Sequence, residues 1–192
     1  MPVLTPELRE RAEAIKARYP AGHERSAVMP LLYLTQSIEG HVTREALREV
    51  ADLLGLRTAE VEAVASFYTM LRLRPTGEHV LSVCTNLSCA LRGAYDVLEA
   101  ALEAAGVPSG GELSEDGLVT VHEEECLGVC EFAPVVQINA ANHDLVTPER
   151  VRELVGSLRD GEIPTPSRGP AVGSHRQASR ILAGVETLET GS

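Results

Sequence analysis

The sequence predicts an α/β protein in which an N-terminal helical bundle is followed by a smaller domain of alternating strands and helices. Through residues 5–70, apolar side chains recur at helical spacing. From His79 onward, short runs rich in Val, Leu and Ile alternate with further helical patterns. Pro75 and Gly77 interrupt the pattern between these regions. We therefore predict a bundle over residues 1–74, an α/β domain over 75–160 and a tail over 161–192.

Four short helices are predicted in the first domain. Thr5 is an N-cap with Pro6 at the first helical position, where proline is preorganised for a helix. Pro30 falls in the first turn of the second helix, where a missing N–H costs little. Four helices at this spacing are typical of a helical bundle. Their predicted bounds are Thr5 to Pro20, Ser26 to Glu39 with Gly40 as its stop, Thr43 to Gly55, and a start at Thr58.

The second domain is predicted to begin with a βαβ unit and to end with a ββα unit. The first of its helices places Leu91, Tyr95, Leu98 and Leu102 on one face. The last strand, Leu145-Val146, pairs back across a turn at 142–144. This order is typical of a small thioredoxin-like α/β domain. The other predicted elements are strands His79 to Val83, Leu118 to Val121 and Val135 to Asn139, a helix from Cys89 to Ala105, and a helix opened by Thr147-Pro148-Glu149.

The tail, residues 161–192, combines three prolines with glycines and serines, and weak periodicity returns only at Ile181, Leu182, Val185 and Leu188. Such a segment cannot bury enough apolar surface alone to fold. We therefore expect it to be extended, with no partner for its apolar residues within the domain, and to be either disordered or, as we favour, laid on a partner protein.

The charge balance excludes some partners. There are 17 Lys and Arg residues against 28 Asp and Glu residues, and the net charge is −11. Such a chain repels phosphate backbones and anionic lipid surfaces, so no nucleic acid is expected as a partner. The longest apolar run, 28–34, is far shorter than a membrane span and contains a proline. Because no secretory signal is visible at the N-terminus, we expect a cytoplasmic protein without direct membrane insertion.

Four cysteines occur as two pairs, Cys84 with Cys89 and Cys126 with Cys130. The first pair follows a predicted strand and ends where a helix begins. The second lies in the loop between two predicted strands. Both pairs can therefore converge at one end of the sheet, and the sequence predicts a site with four thiolates.

The cysteine spacing favours a [2Fe–2S] cluster and leaves a zinc site as the alternative. Disulfides are typical of secreted chains, and this chain shows no secretory signal. A thioredoxin-type dithiol needs C-x-x-C, which neither pair has. Zinc knuckles usually use tight C-x₂-C turns around one ion, whereas four and three residues separate the cysteines of these pairs. A [2Fe–2S] cluster has two irons that each take two thiolates, and two separated pairs with roomier loops supply that arrangement.

Five motifs add a resemblance to a known family. They are Ala65-Ser-Phe-Tyr-Thr-Met70, Val83-Cys-Thr-Asn-Leu-Ser-Cys89, Leu91-Arg-Gly93, Glu125-Cys-Leu-Gly-Val-Cys130 and Ala133-Pro-Val-Val-Gln-Ile138. In order and spacing they resemble the thioredoxin-like [2Fe–2S] ferredoxin subunit of NADH-quinone oxidoreductase, respiratory complex I, which is also known as subunit 2. The resemblance covers residues 5–160 and leaves out the tail.

The resemblance implies a function and a set of partners. It implies that Cys84, Cys89, Cys126 and Cys130 ligate one [2Fe–2S] cluster, which accepts electrons from FMN on an NADH-binding flavoprotein subunit. Other peripheral-arm subunits would hold the chain on the cytoplasmic side of the inner membrane. The alternatives are the same module in a soluble NAD-linked hydrogenase or formate dehydrogenase, or a zinc-stapled interaction module. No Walker loop, G-x-G-x-x-G or nucleophile–base pair is present, so the chain is predicted to carry electrons and not to catalyse alone.

The sequence also allows predictions for several individual residues. We expect a cis Ala133-Pro134 bond, and a core position for Phe67-Tyr-Thr-Met70. Gly93 and Gly128 either permit close backbone approach to sulfur or form tight turns. His122 is expected at the surface. Four carboxylates bracket the second cysteine pair, and they either form a solvated acidic face or disfavour reduction of a cluster there, namely Glu123, Glu124, Glu125 and Glu131.

Overall fold

A computed structural model describes residues 2–187, which form two compact units. The first unit runs to Pro75 and resumes at Arg176, and the second spans Thr76–His175. Each unit has its own apolar core. None of the described helices combines the length and the apolar character that crossing a bilayer requires.

The first unit contains the predicted helical bundle. The caps are as predicted: the Thr5 and Thr43 hydroxyls accept backbone N–H groups, and Gly40 and Gly55 end their helices in the left-handed conformation. The first helix ends at Lys16, before the predicted Pro20. A 3₁₀ turn, Glu24–Ala27, precedes the second helix. The helices are α1 (Pro6–Lys16), α2 (Val28–Glu39), α3 (Arg44–Leu54) and α4 (Thr58–Phe67).

Two buried polar side chains tie segments of the bundle together. The Glu49 carboxylate accepts the backbone N–H groups of Val3 and Leu4 at 2.7 and 2.8 Å. The buried Gln36 side chain donates to the Met70 carbonyl and accepts the Arg72 N–H. These bonds satisfy backbone groups that a loop at the edge of an apolar core would otherwise leave unpaired.

The prediction of a core position for Phe67-Tyr-Thr-Met70 is wrong. Phe67 is 77% exposed, and Tyr68 and Met70 are also exposed. The α4 helix ends at Phe67, so the residues that follow leave the helical face that Val61 and Ala65 bury. The rings of Phe67 and Tyr68 contact each other edge to face, with centroids 5.1 Å apart.

The second unit has the predicted mixed sheet. Its strands are β1 (His79–Cys84), β2 (Val119–Glu124), β3 (Val136–Ile138) and β4 (Ala141–His143), in the order β2-β1-β3-β4. The β1 and β2 strands are parallel, and the other two pairs are antiparallel. Three helices accompany them: α5 (Leu87–Ala90), α6 (Ala94–Ala105) and α7 (Pro148–Arg159). Apolar residues of α6 and α7 form one core with the sheet.

The single helix predicted from Cys89 to Ala105 is two helices. Gly93 has a φ of 88° and separates α5 from α6. The helical register therefore restarts, and Leu91 (78% exposed) and Tyr95 (58% exposed) lie at the surface, contrary to prediction. The buried face of α6 is Val97, Ala100, Ala101 and Ala105.

The hairpin also differs from its prediction. Its turn is at Asn139 and Ala140, which have φ values of 49° and 75°, and β4 is paired directly after it. The predicted strand Leu145-Val146 is not part of the sheet. Its two amides instead donate to the carbonyls of Phe132 and Pro134. The Ala133-Pro134 bond is cis, as predicted.

The prediction that the tail is extended, with no partner for its apolar residues within the domain, is wrong. Residues 161–175, which we call the C-terminal strap, belong to the second unit, where Val172 is buried. The helix α8 (His175–Ala183) follows, and Ala183 joins the core of the first unit. The tail shows only weak apolar periodicity because it has few apolar residues and these pack at two separate sites. Leu188, also part of that pattern, lies outside the described residues.

A buried histidine at the start of β1 depends on the hairpin turn. Asn139 Oδ1 accepts the Val80 N–H at 3.0 Å, which orients the amide. Its Nδ2 therefore faces His79 Nδ1 at 2.9 Å and donates to it, and it also donates to the Val172 carbonyl of the strap. An Nδ1 that accepts a hydrogen bond belongs to a neutral imidazole. Burial lowers the pKa of His79 in agreement with this.

We expect acid to destabilise the second unit through His79. Because its pKa is lower in the folded chain, the stabilisation is complete above the unfolded value of about 6.5 and is lost as pH falls from there through the folded pKa. His79→Gln should flatten the dependence of the urea midpoint on pH, measured by circular dichroism between about pH 7 and about pH 5. His143, whose pKa burial also lowers, supplies part of the remaining slope. The control is His23→Gln, which changes an exposed histidine, and parallel slopes for the two variants would contradict the prediction.

Candidate metal centre

The sheet brings both cysteine pairs to one end, as predicted. Cys84 is the last residue of β1 and is in register with Glu124, the last residue of β2. The loop with the second pair therefore starts beside Cys84. The Cys84 sulfur lies 3.9 Å from the carbonyl oxygen of Glu125, the residue before Cys126.

Cys89 lies in α5, whose first amide is capped by Asn86. Its thiol is buried and hydrogen-bonded to Cys84, and it accepts a backbone hydrogen bond from Val135. Burial and the Cys84 contact raise the pKa of Cys89 to about 11. Without a metal this group is a protonated thiol at neutral pH, so binding iron as a thiolate releases a proton.

The second pair lies at the surface. Cys126 and Cys130 are both exposed, whereas Cys84 and Cys89 are buried. Cys130 begins a 3₁₀ turn, Cys130–Phe132, and its charge contributes to the raised pKa of Cys89. The site therefore has an inner pair of thiols within the protein and an outer pair that solvent or a partner can reach.

The two glycines beside the cysteines have different roles. Gly128 has a φ of 74°, and its N–H donates to the Cys126 sulfur at 3.3 Å. This contact supports the expectation of close backbone approach to sulfur. Gly93 forms the tight turn between α5 and α6, and an added Cβ there would lie 3.5 Å from the Asp96 carboxylate.

The donor set fits a two-iron cluster. All four cysteines are free thiols, as soft iron–sulfur ligation requires. Within residues 2–187, no three His, Cys, Asp or Glu side chains lie close enough together to hold a metal ion. His122 was expected at the surface but is half-buried, because β2 continues past Val121 and pairs it with Ser82.

Carboxylates surround the outer pair. Glu123, Glu125 and Glu131 are exposed, and Glu124 is half-buried. A hydroxyl group holds the Glu123 carboxylate, since Thr85 Oγ1 donates to it at 2.7 Å. The predicted concentration of negative charge next to Cys126 and Cys130 is therefore present in the structure.

Two features near the cysteines escaped the sequence analysis. Leu87, Leu91 and Tyr95 form an exposed apolar rim on α5 and α6. Periodicity alone had assigned two of these residues to the interior. The Arg168 guanidinium of the strap lies over the Phe132 ring, 4.8 Å from its centroid. Nothing in the local sequence signals this contact, because the two residues are far apart along the chain.

A thioredoxin-like sheet with two cysteine pairs at one end defines an iron–sulfur protein of the ferredoxin type. The sequence model of the thioredoxin-like [2Fe–2S] ferredoxins matches residues 12–159, and the chain belongs to this family. Its cofactor is one [2Fe–2S] cluster.

The named relatives are subunits of NADH-quinone oxidoreductases. The chain is 48% identical over 174 residues to an NADH-quinone oxidoreductase subunit of Mycobacterium tuberculosis, covering 91% of this chain and 68% of that protein. It is 42% identical over 147 residues to NADH-quinone oxidoreductase subunit 2 of Thermus thermophilus, covering 76% and 81%.

A solved structure shares the fold. The NAD⁺-reducing [NiFe]-hydrogenase in the air-oxidized state superposes with a TM-score of 0.61 at 20% identity. The match covers 69% of this chain and 23% of the hydrogenase chain. At this identity the likeness supports the fold.

The carboxylates should lower the reduction potential. Adding an electron near Glu125 and Glu131 is opposed by their negative charges. We expect the Glu125→Gln/Glu131→Gln double variant to raise the midpoint potential by tens of millivolts, on the order expected for exposed charges after screening, with a larger shift at low salt. Redox titration followed by electron paramagnetic resonance (EPR) measures it. The matched control is Glu99→Gln/Glu103→Gln on α6, and an unchanged potential in the first variant with intact spectra would contradict the prediction.

Proposed function

We propose that this chain is the electron-transfer subunit of an NADH-quinone oxidoreductase and carries its single [2Fe–2S] cluster on Cys84, Cys89, Cys126 and Cys130. The observation that supports this most is the 48% identity to a subunit of an enzyme with that name, along 91% of the chain. The convergence of both cysteine pairs at one end of the sheet supports the ligand set.

The inner cysteine pair holds the metal centre within the protein, and the outer pair exposes it at the surface. A bound [2Fe–2S] cluster supplies one-electron chemistry. Cys84 and Cys89 anchor it inside the protein, where Val135 and the end of β1 hold their positions. Cys126 and Cys130 lie at the surface, so a donor on a partner subunit can approach this side without rearrangement of the buried pair.

The partner is an NADH-binding flavoprotein subunit with FMN, from which this chain accepts electrons during NADH oxidation and quinone reduction. Catalysis of NADH oxidation belongs to that assembly. Other peripheral-arm subunits hold the chain on the cytoplasmic side of the inner membrane. The exposed rim of Leu87, Leu91 and Tyr95 beside Cys89 is consistent with a surface that a partner covers.

The host complex can be tested by isolating it through a tag on this chain. We expect the isolated assembly to contain bound FMN and to oxidise NADH with a quinone as acceptor. Oxidation of hydrogen or formate coupled to NAD⁺ reduction would contradict the proposal and favour the soluble dehydrogenase alternative. The purified chain itself should be red-brown with two irons and two labile sulfides. A colourless chain with one zinc and no sulfide would identify a zinc module.

The four cysteines should act as one unit. Each iron loses half of its protein ligands when either pair is broken, so Cys84→Ala and Cys130→Ala should each abolish normal cluster assembly. Iron and sulfide analysis and the reduced-state EPR spectrum measure this. Ser88→Ala, in α5 next to Cys89, is the matched control and should keep the cluster. Full iron content and an unaltered spectrum in both cysteine variants would refute the ligand set.

A further inference from the structure

The C-terminal strap is attached next to the hairpin and close to the outer cysteine pair. The Ser167 N–H donates to the Asn142 carbonyl at 2.8 Å, and the Ser167 hydroxyl accepts the Asp144 N–H at 2.8 Å. Pro166, one residue earlier, is buried. The strap therefore holds the backbone of residue 168 at a defined place on the second unit.

From that place Arg168 makes two contacts. Its guanidinium forms an ion pair with the Asp144 carboxylate, and it covers the face of the Phe132 ring. The Asp144 side chain is only 11% exposed, whereas that of Arg168 is 44% exposed. Guanidinium groups bind carboxylates and aromatic faces in a fixed planar geometry. Arg168 therefore holds Phe132 from a position that Asp144 fixes.

Phe132 connects this contact to a cysteine. It is the last residue of the 3₁₀ turn that starts at Cys130, and its N–H donates to the Val129 carbonyl at 3.1 Å. Its own carbonyl accepts the Leu145 N–H at 2.9 Å. The turn is short, so a displacement of the Phe132 ring changes the backbone at Cys130. Cys130 itself is exposed.

We infer that Arg168 is a positioning residue of the metal centre: through the Phe132 ring it fixes the turn that presents the Cys130 thiolate. The inference rests on the ligand role of Cys130 in the proposed function. The strap then helps to position a ligand of the metal centre, even though it lies beyond residue 159, where the family match ends. Residues that orient metal ligands typically change metal affinity by about 10-fold to 100-fold when removed.

The test compares cluster-loaded, full-length variants. Arg168→Ala should alter the visible circular dichroism of the cluster and speed iron loss to a chelator by roughly tenfold. Arg168→Lys keeps a cation over the ring but lacks the planar guanidinium, so it should restore part of the unaltered behaviour. Phe132→Leu, which removes the aromatic face, should resemble Arg168→Ala. The matched control is Arg152→Ala, which removes another exposed arginine from an ion pair, with Glu103 on α6.

The outcomes separate positioning from other effects. Iron loss from Arg168→Ala as slow as from Arg152→Ala, with unaltered dichroism, would overturn the inference. A changed reduction potential with neither of those changes would also overturn it, because Arg168 would then act only through its charge. The urea midpoints of the Arg168→Ala and Arg152→Ala apoproteins check for general destabilisation. If Arg168→Ala has a lower midpoint and loses iron faster, and Arg168→Lys does not restore slow iron loss, then the effect is destabilisation and positioning is contradicted. Absence of a cluster from the unaltered protein would instead refute the proposed function.

Discussion

The metal centre depends on the place of β1 in the middle of the sheet. Its parallel pairing with β2 brings the ends of both strands to the same edge, so Cys84 and the loop after Glu124 are neighbours. Its antiparallel pairing with β3 brings the start of that strand to the same edge, where the Cys84 N–H donates to the Val135 carbonyl at 3.1 Å. Three segments that are far apart in the chain therefore meet at Cys84. If β1 were an edge strand, the second pair or Val135 would lie elsewhere.

The inner and outer pairs answer two opposing requirements. A buried thiol in apolar surroundings is protected from solvent but is expensive to ionise, and the raised pKa of Cys89 reflects that cost. Backbone N–H groups aimed at sulfur reduce such a cost, and Val135 supplies one to Cys89 as Gly128 does to Cys126. Exposure of Cys126 and Cys130 leaves one side of the candidate site accessible to solvent or to a partner. Protection and access are thus assigned to different pairs.

The residues after α7 pack within the two units: the strap belongs to the second unit, and α8 belongs to the first. The strap satisfies polar groups of the hairpin through Asn139 and Asn142, and α8 then adds Ala183 to the bundle core. In the bundle, the Ser179 hydroxyl accepts from Gln36 at 3.1 Å inside the protein. A buried polar group must find partners, and these segments provide some of the partners of Gln36 and Asn139.

The sequence alone determined most of the helices, the sheet class and the identity of the candidate ligands. Helix caps such as Thr43 and stops such as Gly55 act within a few residues, so local chemistry is enough to predict them. The cysteine pairs were equally visible, because their spacing is a property of the chain and the predicted strands placed both pairs at one edge. The resemblance added the family, which the comparisons then confirmed.

Only the tertiary structure decided which apolar residues are buried and where the tail goes. Periodicity gives the face of a helix but not its end. The left-handed turn at Gly93 moved Leu91 and Tyr95 to the surface, and the end of α4 did the same to Tyr68 and Met70. The contact of Arg168 with Phe132 depends on how the strap crosses the hairpin. Such contacts join residues distant in the chain, and their energy arises from packing that no local pattern encodes.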